Sequence, residues 1–175
     1  RNIARIRCFL DNKSLEKIIH ALISSRLDYC NSLFYCANQT TLLKLQKVQN
    51  ACARVLTMTK KTDHITPVLK SLHWLPVSKR IVFKILMITF KCTRALAPSY
   101  LCDLIEFYQP TREFRSSHML LLNVLFTRSN VCQNGAFDCY APRLWNSLPL
   151  FIRDAESLSV FKARLKTYLF TQSYL

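Results

Sequence analysis

The stretch HITPVLKSLHWLPVSKRIVFKIL, residues 64–86, decides how the chain is read. It mixes Lys70, Lys79, Arg80 and Lys84 with two prolines, two histidines and Trp74 among aliphatics, and it contains no acid. His73-Trp74 could begin an active site, or it could join two helices. The spacing favours the junction. Thr66-Pro67 begins a short helix, because a proline in the first turn lacks only an N–H that would be unpaired there. The residues HWLP interrupt it, and a longer helix follows from about Val77 to Ala95. On that helix Ile81, Ile85 and Ile88, with Val82 and Leu86, make the buried side. Arg80, Lys84, Lys91 and Arg94 fall within about 80° of one another at about 100° per residue. Trp74 then fills a core, and His73 caps a helix end or faces solvent.

Working outward, residues 14–36 read as a helix with Ser14 as N-cap and Glu16 in the first turn, where a negative charge suits the helix dipole. Leu15, Ile18, Ile19, Leu22 and Ile23 give its buried face. A second helix runs from about Thr41 to Met58 on the stripe Leu42, Leu45, Val48, Cys52 and Val55, with Lys44, Lys47 and Arg54 off that seam. A short helix opens at Pro98. The segment 141–149, APRLWNSLP, reads as a turn of helix stopped by Pro149, with Trp145 in the core. Ser157 caps a last amphipathic helix, Leu158, Phe161, Leu165, Tyr168 and Leu169 on one side and Lys162 and Lys166 on the other. The sequence holds one glycine in 175 residues. Hairpin-rich folds need glycine where φ is positive, so the composition predicts helices. The expected fold is mainly α, a helical bundle-like single domain over residues 1–175, leaving room for a short strand or hairpin around 115–130.

Charge is uneven. Residues 1–94 carry 17 Lys/Arg and 4 Asp/Glu, a net of +13, and residues 95–175 carry 8 and 6, a net of +2. A basic half beside a near-neutral one attracts polyanions by releasing counterions from phosphates. Eight cysteines are present without a compact CxxC spacing. Several lie on apolar helical faces, which predicts buried thiols in a reducing compartment. The N-terminal RNIARIRCFL has no signal-peptide pattern, and the longest apolar block, Ile81 to Phe90, falls far short of a membrane span. The expected location is nucleus and cytoplasm, with no membrane partner.

The search for chemistry is negative. Two-metal phosphoryl transfer needs closely paired carboxylates, and no Asp-Asp or DxD occurs. Asp103/Glu106 and Asp154/Glu156 read as helix-terminus charges. His20, His64, His73 and His118 form no HxxH or HxxxH, and no cysteine is marked as an activated nucleophile. A phosphate-binding Walker loop is excluded by the single glycine. The sequence therefore predicts no catalytic residue, no metal and no cofactor.

Several pieces, in order, carry a resemblance: RNIARIR, SRLDYCNSLFY, LQKVQNACARVLT, DHITPVLKSLHWLPVSKRIVFKIL, LAPSYLCDL, APRLWNSLP and SLSVFKARLKTYLF. Over roughly residues 1–172 the chain resembles the region that follows the reverse transcriptase palm in LINE-type non-LTR retrotransposons of the jockey-related vertebrate kind. The family's polymerase and endonuclease chemistry lies upstream, so no catalytic residue carries over. The resemblance implies a thumb-like helical segment of a longer reading frame, whose parent would be an RNA-directed DNA polymerase and whose upstream palm would be its neighbour. The chain departs from the family where Cys8 stands for a common proline, Ala95 for a common glycine, QNGAF (133–137) for a Gly-Asp-Arg-Ala-Phe-like stretch and Leu125 for part of a Val-Pro pair. These departures suggest a partly decayed genomic copy.

The leading expectation is a non-catalytic nucleic-acid-binding segment. Its phosphate contacts would be Lys44, Lys47, Arg54, Lys60, Lys61, Arg80, Lys84 and Lys91, on template RNA or target DNA. A co-opted helical protein-interaction module, docking through the last helix, and a translated fragment with no selected function are the alternatives. Oligomeric state is not readable.

Overall fold

The computed structural model describes residues 2–109, 119–125 and 136–175. The described residues are mainly helical, as the glycine-poor composition predicts, and contain no strand. The strand or hairpin expected around 115–130 lies partly outside them. Within 119–125 the backbone makes an isolated antiparallel bridge between Phe107 and Leu122. Tyr108 N donates to Leu121 O at 2.9 Å and Asn123 N to Glu106 O at 2.8 Å. The chain divides into two compact units, Arg1–Ile81 with Leu169–Leu175, and Val82–Tyr168.

The first unit opens with α1 (Asn2–Ile6) and a 3-10 turn, Arg7–Phe9. Helix α2 (Asn12–Ile19) continues through a π-helical turn, His20–Ser24, into α3 (Ser25–Asp28). Asp11, not Ser14, is the N-cap: its carboxylate accepts from Lys13 N at 3.1 Å and Ser14 N at 3.2 Å. Glu16 therefore sits in the second turn, 3.6 Å from the His20 ring. The helix expected to reach residue 36 stops at Asp28, because Cys30 takes a left-handed φ of 48° before a 3-10 turn over Asn31–Phe34. Helix α4 (Gln39–Thr57) is capped by Asn38, whose side chain accepts from Thr41 N, and ends at Met58 with φ 57°. Helix α5 (Ile65–Ser71) carries Pro67 in its first turn, as expected.

The junction after α5 is a Schellman ending. His73 N donates to Lys70 O at 3.1 Å and Trp74 N to Leu69 O at 3.0 Å. His73 holds the left-handed position, φ 54°, and Trp74 follows it into the core beside Leu69. A hydrophobic residue in that place commonly packs back on the last turn. The corner then runs through Leu75 and Pro76 to α6 (Val77–Thr93). Its polar groups are met by side chains. Gln49, 3% exposed, donates to Leu75 O at 2.8 Å. Val77 N donates to Gln46 at 2.8 Å, and the Tyr174 hydroxyl donates to Trp74 O at 2.5 Å. Leu15, Ile19, Cys52, Ala53, Leu56, Leu69 and Trp74 form the core of this unit.

The second unit contains the greater part of α6, then α7 (Ser99–Cys102), α8 (Phe137–Asn146), α9 (Leu150–Arg153) and most of α10 (Leu158–Tyr174). Helix α8 begins four residues before the expected turn at 141. Phe90, Trp145 and Phe161 meet at its centre, with ring centroids 4.3 to 6.4 Å apart. Trp145 Nε1 donates to Leu120 O at 2.8 Å, and the Asn146 amide both donates to and accepts from the Leu122 backbone at 2.9 Å. A side-chain amide here replaces a neighbouring strand. Ser157 caps α10 through Val160 N, as expected.

Helix α6 ends in the same way as α5. Ala95 N donates to Cys92 O at 3.1 Å and Leu96 N to Lys91 O at 2.8 Å, which places Ala95 at φ 52°. A Cβ in that conformation costs roughly 1–2 kcal/mol. Ala95→Gly is therefore expected to stabilise by about 1 kcal/mol after the extra unfolded-state entropy of glycine is offset, measured by chemical denaturation. Gln49→Ala should destabilise by about 1–3 kcal/mol, because it strands the buried Leu75 carbonyl.

Candidate nucleic-acid interface

The first unit carries fourteen Lys/Arg and four Asp/Glu, a net of +10, and the second a net of +5. All four acids of the first unit are engaged locally. Asp11 caps α2, Glu16 lies against His20 and Asp28 pairs with Arg80. Asp63 accepts from Lys60 N at 3.2 Å. Salt bridges and caps of this kind neutralise little of the surrounding lysine charge beyond their own partners.

Lys44 and Lys47 stand exposed on α4. This helix has no acid along its whole length, so nothing on it compensates them. Roughly 20 Å further, at about 1.5 Å per residue, α4 ends in the loop that holds Lys60 and Lys61. Arg54 builds that loop. Its guanidinium donates to Lys60 O and, at 2.9 Å, to Asp63 O. Asp63 N returns a bond to Lys60 O at 3.2 Å. The planar fork of arginine suits two carbonyls in one loop. Lys60 and Lys61 are left exposed on an ordered backbone.

The eight cations expected to contact phosphate thus differ in their surroundings. Lys44, Lys47, Lys60 and Lys61 are exposed in the first unit. Arg54 is half-buried and directs two N–H groups inward. Arg80 Nε donates to Asp28 Oδ1 at 2.8 Å, Nη2 reaches the second carboxylate oxygen, and Asn31 donates to the same aspartate at 3.4 Å. Lys84 is exposed and Lys91 half-buried, both in the second unit. Arg94, from the same stripe, donates to Ala155 O at 3.0 Å and lies 5.6 Å over the Phe90 ring. The uniform basic stripe of α6 therefore contains two arginines with structural partners. Sequence spacing could not separate these from free cations, because Asp28 and Ala155 are distant in the chain.

His73 and Trp74 pack at the end of α5. Trp74 is buried, and the His73 ring stacks on Phe170 at 5.5 Å. Trp145 is likewise buried at 1% exposure, consistent with a core role. Cys52, Cys92 and Cys139 are buried. Burial, with Cys102 nearby, pushes the Cys92 thiol up to about 11, away from a reactive thiolate. Among the described residues no group of three His, Cys, Asp or Glu is placed to hold a metal ion. Among them, too, no helix is long and apolar enough to cross a membrane. His118 and Cys132 lie outside the described residues. Comparison with protein-family models, with curated proteins and with solved structures gives no match for this chain.

If Arg54 organises the loop, its removal acts locally. Arg54→Ala is expected to raise amide hydrogen exchange in residues 58–63 at least tenfold, while the exchange of the α4 core around Cys52 stays within about twofold. Mass-resolved exchange distinguishes these outcomes.

Proposed function

We propose that the chain is a non-catalytic nucleic-acid-binding segment that holds RNA or DNA by its phosphate backbone. The observation that carries this reading is the first unit's uncompensated charge. Its four acids are all engaged by near neighbours, while Lys44, Lys47, Lys60 and Lys61 are exposed without acidic partners among the described residues. Lysine ammonium groups on flexible stems suit phosphate contact with little base specificity. Arg54 and Arg80 serve this surface indirectly, by fixing the loop and helix positions. Lys84 and Lys91 carry positive charge on the second unit.

The sequence likeness to the post-palm region of LINE-type reverse transcriptases supports the same role, and with it an upstream palm as neighbour and a nuclear and cytoplasmic setting. Ala95 adds a physical point. The residue that stands where the family commonly has glycine occupies a left-handed position, where glycine is the residue of least strain. The interaction-module alternative through the last helix is less well supported. Phe161, Leu165 and Leu169 of α10 are buried, so the apolar side it would offer is already packed.

Fluorescence anisotropy with labelled single-stranded RNA and duplex DNA, titrated with salt, tests the proposal. Four neutralised phosphates give a log K against log[salt] slope of about −3 to −4. The double variant Lys60→Glu, Lys61→Glu should weaken binding at least tenfold at low salt and flatten the slope. Affinity indifferent to salt, or to both substitutions, would overturn it.

A further inference from the structure

The first unit has an open apolar groove of about 560 Å³, walled by Ile3 of α1, Ile19 and Ile23 of the α2 path, and Val48, Ala51 and Val55 of α4. Val48 is 44% exposed in it, and Leu22, on the π-helical turn between Ile19 and Ile23, is 53% exposed. Phosphate backbone does not fill such a surface, since its charge gains nothing from aliphatic walls. Nor does the groove have the convergent polar groups that orient a small ligand. Its walls are helices, whose ridges accept side chains repeating at i, i+3, i+4 and i+7.

The rim fixes the charge of the occupant. Lys44 lies within about 40° of Val48, Ala51 and Val55 around α4, and Lys47 within about 40° of Ala51, at about 100° per residue. Arg26 stands exposed one turn beyond Ile23. On the α4 side there is no acid, and the acids on the α2 path, Glu16 and Asp28, face His20 and Arg80. A π-turn in the opposite wall adds to the case, because such turns recur at functional sites.

We infer that this groove receives an amphipathic helix of a protein partner, its apolar face on Val48 and Ala51 and acidic residues along its edges against Lys44, Lys47 and Arg26. The partner is distinct from the nucleic acid, although it would compete with phosphate for Lys44 and Lys47.

The probe is a fluorescein-labelled 18-residue helical peptide with leucines at i, i+3, i+4 and i+7 and glutamates on both flanks. Anisotropy should show saturable binding to the full chain. Val48→Gln, which removes apolar floor without adding charge, should weaken the peptide at least tenfold and leave RNA affinity within twofold. Thermal denaturation of that variant should be unchanged, because Val48 is half exposed. Lys44→Glu with Lys47→Glu should weaken both ligands. The inference falls if the peptide does not bind, or if a version with lysine for glutamate binds equally. It also falls if Val48→Gln leaves the peptide unaffected, or weakens RNA as much as peptide. A self-association that Val48→Gln abolishes in sedimentation equilibrium would assign the groove to a second copy of the chain instead. Failure of the salt-dependent RNA binding alone would remove the nucleic-acid role and leave this one standing.

Discussion

The first unit depends on one constraint, the burial of a non-helical corner. Between α5 and α6 the backbone turns through His73, Trp74, Leu75 and Pro76, and Trp74 and Leu75 are buried at 6% and 7% exposure. Buried peptide groups outside a helix have no ladder to satisfy them and cost free energy when orphaned. Here each found partner comes from a different place: Leu69 and Lys70 from the preceding turn, Gln46 and Gln49 from α4, and Tyr174 from the end of α10. Burial pushes the Tyr174 hydroxyl up to about 12, so it remains the donor that the Trp74 carbonyl needs. The sign follows from a raised folded-state value. This contribution is complete below the ordinary tyrosine value near 10 and is lost as pH rises through about 12. Removing any one partner leaves the others holding an unsatisfied corner.

That corner also decides where charge can stand. Gln46 and Gln49 face inward on α4 to reach it, and the same helical period turns Lys44 and Lys47 outward. Three arginines are used differently. Arg54 fastens a loop, Arg80 a helix to Asp28, and Arg94 a helix end to Ala155, each through the fixed fork of its donors. The mobile, compact ammonium groups are left for solvent. These three held guanidiniums cannot follow an irregular strand, whereas exposed lysines such as Lys44 and Lys47 would suit the loosely specific phosphate grip proposed above.

Much of this was legible in the chain. Period-3.6 stripes located α4, α6 and α10 to within a few residues, and Pro67 marked the start of α5. Ser157 and the buried sides of Trp74 and Trp145 were also readable. What escaped was settled by distant partners or by single dihedral angles. Ser14 with Glu16 two residues on has the pattern of a cap, yet Asp11 competes successfully with a carboxylate that reaches two N–H groups. The break at Cys30 has no glycine or proline to announce it. For the interface, the pattern found the cations but not their partners. The apolar groove left no pattern of its own, since its floor is the same stripe that marks an ordinary buried face.

The positive-φ residues bear on how much stability remains. Cys30, Met58, His73, Ala95 and Leu120 all take left-handed φ of 48–57° without being glycine. Each such residue costs of order 1–3 kcal/mol, and the five together rival the whole margin of about 5–15 kcal/mol of a typical domain. The structure tolerates them because hydrogen bonds and burial fix the neighbouring residues. At His73 and Ala95 the Schellman bonds and the buried Trp74 and Cys92 determine the backbone more strongly than the misplaced Cβ resists it. His73 belongs to the first unit and Ala95 to the second, and their Schellman bonds go to different carbonyls. Relief at one should therefore add to relief at the other. A chain that holds side chains rather than glycine at these positions keeps its fold at the expense of its margin, and this makes the intact corner at Trp74 more necessary, not less.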